Sequence, residues 1–472
     1  MNINRIPYMF NVSELKKIFN KAEFVNYSAD IKINSVEHDT RRISPQSLYV
    51  AIKGDNLDGH DFIIDAQNKG AVACICEKKI EGASLVQIIV KDSVKAYGEL
   101  ARYWRDKLKC PVLGLTGSNG KTTTKDLIYA VLSKKFKTVR TIGNFNNLIG
   151  VPYTILSFPL DAEFAVVEMG MNAKGEIASL SYIADPSAAL ITNIGRAHIG
   201  RLGSIDAIKK AKTELFDHVL KAQGTFCLNM SDERICDWTS YNRPKNTITY
   251  CCANDTNDDD CSCQVCVKAL SSASGSQKFK VFCSKTATEV VGEINLAGMH
   301  NLHNVAAAIA VGVNFGIDLK TCVQALKDFV PPAMRSNMME KEGVTYIVDC
   351  YNANPDSMLA AIRSLASTKE ANRKVAVIGD MGELDGMEKE LHREVGKALA
   401  ESGIDLVYVI GTFSANYKEG FDSVISPKGK FFIYKKEQMD VLKQELFSSL
   451  HKGDYVLVKA SRSSKLEAVL DK

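Results

Sequence analysis

One stretch constrains this chain more than any other: VLGLTGSNGKTTTKDLIYAVL, residues 112 to 132. An apolar run of strand type enters Gly117-Ser118-Asn119-Gly120, and beyond it Leu127, Ile128, Val131 and Leu132 recur as the stripe of a helix. A strand, a glycine turn and a helix start in that order make an anion site. Glycines admit close backbone approach, and the free N–H groups of a helix start point at phosphate. In such a loop Lys121 reaches the terminal phosphates and Thr122 offers its hydroxyl to Mg²⁺. The common pattern G-x-x-x-x-G-K-[ST] needs glycine at position 115; this chain has Leu115, so the loop is the variant TGxxGKT. An ordinary glycine turn before a helix is the competing reading, and Gly-Lys-Thr at the strand-to-helix junction favours nucleotide.

Further groups with chemistry follow the loop. FAVV, residues 164 to 167, reads as a short buried strand that ends in Glu168, a place from which a carboxylate holds Mg²⁺ directly or through water. The apolar run AALITNI ends just before His198; a lone histidine is more often structural than a ligand, and spacing leaves both readings open. From Ile205 a helical pattern places Lys212 inside the stripe of Ile208, Ala211, Leu215, Phe216 and Val219. Either Lys212 packs its stem and lifts its ammonium to water, or it is a desolvated amine of lowered pKa, able to add CO₂ and bridge cations as a carbamate.

At 472 residues the chain is long enough for about three domains. Short apolar runs (LYVAI, AVACIC, VQIIV) alternating with helix-compatible segments make a small α/β unit over residues 1–108. Strands and helices alternate again from 109 to 330, and Pro331-Pro332 punctuates the chain, since neither residue donates a backbone hydrogen bond. Over 331–472 the runs YIVD, KVAVIGD, LVYVIG, FFIY and YVLVKA, separated by helix-length segments, predict a parallel sheet with crossover helices, a Rossmann-like domain.

With 59 basic and 55 acidic residues spread along the chain, no basic face for nucleic acid is implied. The start MNINRIPYMFNVSELKKIF lacks the apolar core of a signal peptide, and the longest apolar stretch, 305 to 313, falls short of the roughly 20 residues a bilayer needs. A cytoplasmic protein without membrane insertion is expected. Thirteen cysteines, several in strand-like runs as at Cys74 and Cys76, suit a reducing compartment. The cluster Cys251, Cys252, Cys261, Cys263 and Cys266 invites a zinc reading. Against it, paired CxxC units are missing, Cys261 and Cys263 alternate with polar residues as in a strand, and the flanks NDTNDDD and SSASGSQ are solvated.

TGSNGKTTT (116–124), GNFNNLIGVP (143–152), VVEMGMNAKGEI (166–177), NIGRAHIGRLGS (193–204) and AKTELF (211–216) together resemble the Mur ligase superfamily, which also includes folylpolyglutamate synthetase, along essentially the whole chain. The resemblance implies an α/β fold of three domains: a small uridine-nucleotide-binding domain, a P-loop ATPase-like central domain with a mostly parallel sheet, and a Rossmann-like C-terminal domain. It implies ATP contacts at Gly117 to Thr123, with Lys121 and Thr122 on phosphate and Mg²⁺, and at Asn301, Arg335 and Asp349. Glu168 and His198 become further metal ligands, and Lys212 the lysine that is carbamylated in such enzymes.

DCYNANPDSM (349–358), VIGDMGELDGMEKELH (377–392) and LVKASRSSKLE (457–467) are similar to members that add D-alanyl-D-alanine to UDP-N-acetylmuramoyl-tripeptide; the DNPR signature of the diamino-acid-adding relative is absent. That likeness implies substrate contacts at Tyr351, Asn352, Asn354, Lys459, Ser461 and Arg462, and at Asn144 and Asn147. DTRR at 39–42 and AIKGDNLDGHDF at 51–62 look like uridine-nucleotide elements, implying Asp39, Thr40, Arg41 and Lys53. Two positions depart from the pattern: Ala460 stands where many relatives have glycine, and Cys350 replaces a common serine. The expected chemistry is ATP-dependent amide formation through an acyl phosphate by a monomer. The alternatives are another amino-acid ligase of this superfamily and a nucleotide-dependent switch that ligates nothing.

Overall fold

The computed structural model describes residues 9–253, 262–273, 276–296, 298–331 and 334–471. They form two compact units. The first takes in residues up to 112, 139–169 and 178–186; the second holds 113–138, 170–177 and 187 onward.

In the first unit, Glu23–Val25, Val86–Ile89, Ala71–Cys76, Ser47–Val50 and Ser35–Glu37 lie side by side in that order, parallel except for Glu23–Val25. Ala71–Cys76 is apolar in almost every residue because it is central and covered on both faces, as parallel strands are. The helix Ser93–Lys107 starts where the Asp92 carboxylate accepts from Lys95 N–H, and it buries Ala96, Tyr97, Leu100, Ala101 and Trp104. Phe164–Glu168, fully buried, and the short helix Gly150–Leu156 belong to the same unit.

Among the described residues of the second unit, one sheet runs Thr288–Ile294, Ser276–Cys283, Val265–Ala273, Asn246–Ala253, Thr225–Asn229, Ala188–Ile191 and Val112–Thr116. Its last five strands are parallel. The first three form an antiparallel edge, an interruption of the strand–helix alternation expected up to residue 330. The link between Cys283 and Thr288 is a tight turn, too short for the crossover that parallel strands require. A second sheet of the unit runs Asn337–Lys341, Val344–Asp349, Asp454–Lys459, Arg373–Ile378, Leu406–Ile410 and Lys430–Tyr434, parallel apart from its first strand. The expected α/β class with mostly parallel sheets is what the chain adopts.

The cysteine-rich stretch differs in detail from the expectation. Cys251 stands opposite Cys266 in the pairing of Asn246–Ala253 with Val265–Ala273, so that strand begins after Cys263, while Cys261 lies outside the described residues. Cys251 is disulfide-bonded, whereas Cys252, Cys263 and Cys266 are free thiols. Pro332, half of the punctuating dipeptide, also lies outside the described residues.

Candidate active site

The loop between Val112–Thr116 and the helix Lys121–Leu132 is held from outside by residues 192 to 195. Ser118 N–H donates to Asn193 O at 2.9 Å, and Asn119 N–H to Asn193 Oδ1 at 3.0 Å. Thr192 Oγ1 donates to Asn119 O at 2.6 Å, and Ser118 Oγ donates to Gly195 O at 2.9 Å. Gly120 caps the helix at φ 77°, a left-handed conformation, and a Cβ there would come within 2.5 Å of Asn304 Oδ1. Asn304 also accepts from Thr124 Oγ1 at 3.0 Å and donates to Asn301 Oδ1 at 2.8 Å. Asn301 thereby reaches the loop through Asn304, a residue that sequence reasoning passed over. Next to it His300 is pushed down to about 4 by burial and is neutral at physiological pH.

Lys121 Nζ folds over the loop and donates to Gly117 O at 2.8 Å. Lys212 Nζ donates to the same oxygen at 3.0 Å. The helix Ile205–Lys221 puts Lys212 on its buried face, and only 1% of the residue is exposed. Its ammonium therefore does not reach water. Burial pushes its pKa well below the usual lysine range, and the charge of Lys121 pushes the same way, with Glu383 opposing. His198, at φ 63°, sets Nδ1 2.8 Å from Glu383 Oε2, and that contact holds the Glu383 carboxyl below its ordinary range. Glu383, also at positive φ, lies within residues 377–392, where spacing alone gave it no role.

Of the remaining site residues in the second unit, Asp349 and Asn352 meet Lys459, which is 1% exposed. Its Nζ donates to Asp349 Oδ2 at 2.6 Å and to Asn352 O at 3.3 Å. The Arg335 guanidinium lies 3.9 Å from the centre of the Tyr351 ring. Asn354 caps the helix Pro355–Ala366 and donates from Nδ2 to Asn119 Oδ1 at 2.7 Å, which ties this group to the phosphate loop. Ser461 N–H donates to Asp380 O at 2.9 Å, while Arg462 pairs with Glu467. The departures from pattern are packing matters: Ala460 is fully buried against Gly379, and the Cys350 thiol, pushed up to about 12 by burial, donates to Val458 O.

In the first unit Glu168 is 1% exposed, and its Oε1 accepts from Asn146 Nδ2 at 2.8 Å. Asn146 was not anticipated. Its neighbour Asn144 accepts from Asn146 N–H at 2.7 Å, and Asn147 Oδ1 accepts from Gly150 N–H at 2.8 Å. Asp39 and Arg41 form an ion pair of 2.7 Å that holds the Asp39 carboxyl near about 2. Thr40 bonds to Asp65, Lys53 forms an isolated bridge to Asp58, and Arg42, also unanticipated, donates to the Tyr153 hydroxyl at 2.7 Å.

Beside Asp39, burial pushes the Glu37 carboxyl up to about 7, with Arg42 opposing. Because the folded value lies above the ordinary 4.5, the stability tied to this proton is complete at pH 4 and is lost as pH rises through about 7. Glu37→Gln should therefore stabilise the protein at pH 8 by roughly 1 kcal/mol after solvent screening, and leave it unchanged at pH 4. Melting curves at the two pH values check this; equal shifts at both would contradict it.

Three family models match the chain: "Mur ligase family, catalytic domain" over residues 32–105, "Mur ligase middle domain" over 115–312, and "Mur ligase, glutamate ligase domain" over 334–462. The chain is 36% identical to a UDP-N-acetylmuramoyl-tripeptide–D-alanyl-D-alanine ligase of Bacillus subtilis, across 93% of this chain and 92% of that one. With the Escherichia coli ligase of the same name it shares 34% identity over 94% of both. Among solved structures, MurF from Acinetobacter baumannii superposes with a TM-score of 0.87 at 29% identity, covering 98% of each chain. MurF from Thermotoga maritima in complex with ADP gives 0.81 at 29% identity, over 93% of this chain and 96% of that one.

Proposed function

The chain belongs to the Mur ligase family, and from that premise we propose that it joins D-alanyl-D-alanine to UDP-N-acetylmuramoyl-tripeptide, converting ATP to ADP and phosphate. The observation that carries the reading is the meeting of two lysines on one backbone oxygen. Lys121 and Lys212 both donate to Gly117 O, at 2.8 and 3.0 Å, in a glycine loop built to take phosphate. Residues 1–108 take the uridine nucleotide, 109–330 take ATP, and 331–472 complete the ligase site; the three family matches fall inside these bounds.

A carboxylate is a poor acyl donor. The tripeptide carboxylate attacks the γ-phosphorus, the bond to the β-phosphate oxygen breaks, and ADP leaves an acyl phosphate. The amine of D-alanyl-D-alanine attacks that carbonyl, loses a proton, and the tetrahedral adduct expels inorganic phosphate. Lys121 and the loop N–H groups stabilise the charge that gathers on phosphoryl oxygens, and Gly117 to Thr123 orient the triphosphate. Asn301, Arg335 and Asp349 contact the nucleotide, and Tyr351, Asn352, Asn354, Lys459, Ser461 and Arg462 orient the substrates. In the first unit Asp39, Thr40, Arg41, Lys53, Asn144 and Asn147 bind the nucleotide-linked peptide.

Mg²⁺ is the ion of this reading, and Thr122, Glu168 and His198 are the residues that would hold it, through a hydroxyl, a carboxylate and an imidazole. Such an ion keeps several waters and takes oxygens from phosphate as well as from protein. When bound, it neutralises phosphoryl charge. The buried Lys212 amine adds CO₂, forming an N–C bond and releasing one proton, and the resulting carbamate would offer its oxygens to the same ion. The enzyme works as a monomer in the cytoplasm. No described helix is long and apolar enough to cross a membrane.

The test is mass spectrometry of the product from ATP, D-alanyl-D-alanine and UDP-linked tripeptides carrying either diaminopimelate or lysine at the third residue. The expected product has the summed mass of tripeptide and dipeptide less one water, with one ADP per bond. ADP release indifferent to D-alanyl-D-alanine, or ligation of single amino acids only, overturns the reading.

A further inference from the structure

A seam of polar contacts runs beside the phosphate loop, with arginines on one side facing carboxylates on the other. The bases Arg196, His198 and Arg201 come from one short segment; the acids Asp356, Glu383, Asp385 and Glu394 come from the C-terminal part of the chain. Arg201 and Asp385 are both well exposed, so their pair counts for little. Arg196 is different. Its Nε donates to Asp356 Oδ1 at 2.8 Å, while Nη1 and Nη2 donate to the two oxygens of Glu394 at 2.7 and 2.9 Å. Its backbone N–H donates to Asp356 Oδ2 at 2.6 Å, and at Gly195 an added Cβ would come within 2.5 Å of that oxygen.

The two carboxylates sit on different helices, Asp356 in the first turn of Pro355–Ala366 and Glu394 in Glu388–Glu401. Asp356 stands two residues after Asn354, which grips Asn119. On the other side Arg196 directly follows Gly195 and lies three residues after Asn193, and these two hold Ser118 and Asn119. One guanidinium thus joins the segment that shapes the phosphate loop to the helix whose cap touches the loop.

We infer that Arg196 is a positioning residue for ligation: it clamps the C-terminal helices against the phosphate loop, so that groups around Asn354 are in register with the transferring phosphoryl group. The inference rests on the reading that this loop binds ATP. A planar fork with two carboxylate partners fixes both distance and angle, which a point charge does not. The clamp acts on transfer between substrates and leaves the loop's own grip on nucleotide unchanged.

The experiment compares wild type, Arg196→Met, Arg196→Lys and Glu394→Gln in steady-state ligation, in calorimetric binding of Mg²⁺–ADP and in thermal melts. Arg196→Met should lower kcat about tenfold while Mg²⁺–ADP affinity stays within about twofold. Arg196→Lys should recover part of the loss, and adding Glu394→Gln to Arg196→Met should cost little more, since both remove one interaction. If Arg196→Met does not fold, Glu394→Gln, with its shape kept, should still lower kcat about threefold at unchanged ADP affinity. Turnover within twofold of wild type, or a loss of ADP affinity that matches the loss of turnover, overturns the clamp. Wild type that binds no ADP would instead overturn the ATP reading.

Discussion

Lys121→Ala should lower turnover about a thousandfold with the fold intact, the largest effect expected of any single change in the loop. The loop does not depend on this side chain for its shape. Ser118 and Asn119 are bonded to residues 192–195, and Gly120 supplies the turn, so the substitution removes a charge and leaves the cradle standing. Lys121 Nζ donates to Gly117 O at 2.8 Å; in the proposed reaction the same ammonium would serve the phosphoryl oxygens, whose charge grows as the γ-phosphate transfers. A charge that strengthens its contact in the transition state is read in kcat more than in KM. Lys121→Arg should restore little, because the forked guanidinium is larger and cannot occupy the space over Gly117 as a point charge does. ADP release measured with both co-substrates, alongside a melt, checks this. A loss smaller than tenfold would remove Lys121 from the phosphate site.

The loop was legible because everything it needs is local: an apolar strand, a glycine turn and a 3.6-residue stripe lie within residues 112–132, and periodicity reads such a string directly. Lys212 stood out for the same reason, as a charge inside an apolar stripe. Partners from distant segments were not legible. Nothing in the spacing tells which loop meets His198, so Glu383 went unseen, and Arg196 with Asp356 and Glu394 likewise. Asn304 could have been found, since it lies three residues beyond Asn301 and therefore on the same helix face. The antiparallel edge was also within reach. QKFKVFC alternates with period two, the mark of a strand with one wet face, and the short link to the next strand excludes a crossover helix.

Lys212→Ala should lose about two to three powers of ten in turnover and regain part of it when formate or acetate is supplied. The argument begins with burial. A lysine that is 1% exposed and faces the like charge of Lys121 is driven towards its neutral form, and only the neutral amine attacks CO₂. The product is an anion, so the same position changes from repelling Lys121 to attracting it. That reversal favours the carbamate over the ammonium. Truncation to alanine opens a space beside Gly117 O that a short carboxylate can enter, placing an oxygen pair where the proposed carbamate would stand. The identity of the rescuing molecule then separates two roles. Rescue by formate identifies a lost anion, whereas rescue by methylamine identifies a lost ammonium and rules out carbamylation. Wild type stripped of CO₂ should fall in activity and recover on adding bicarbonate, whereas Lys212→Ala should not respond to bicarbonate in this way. Full turnover by Lys212→Ala would leave the carbamate without a function in this site.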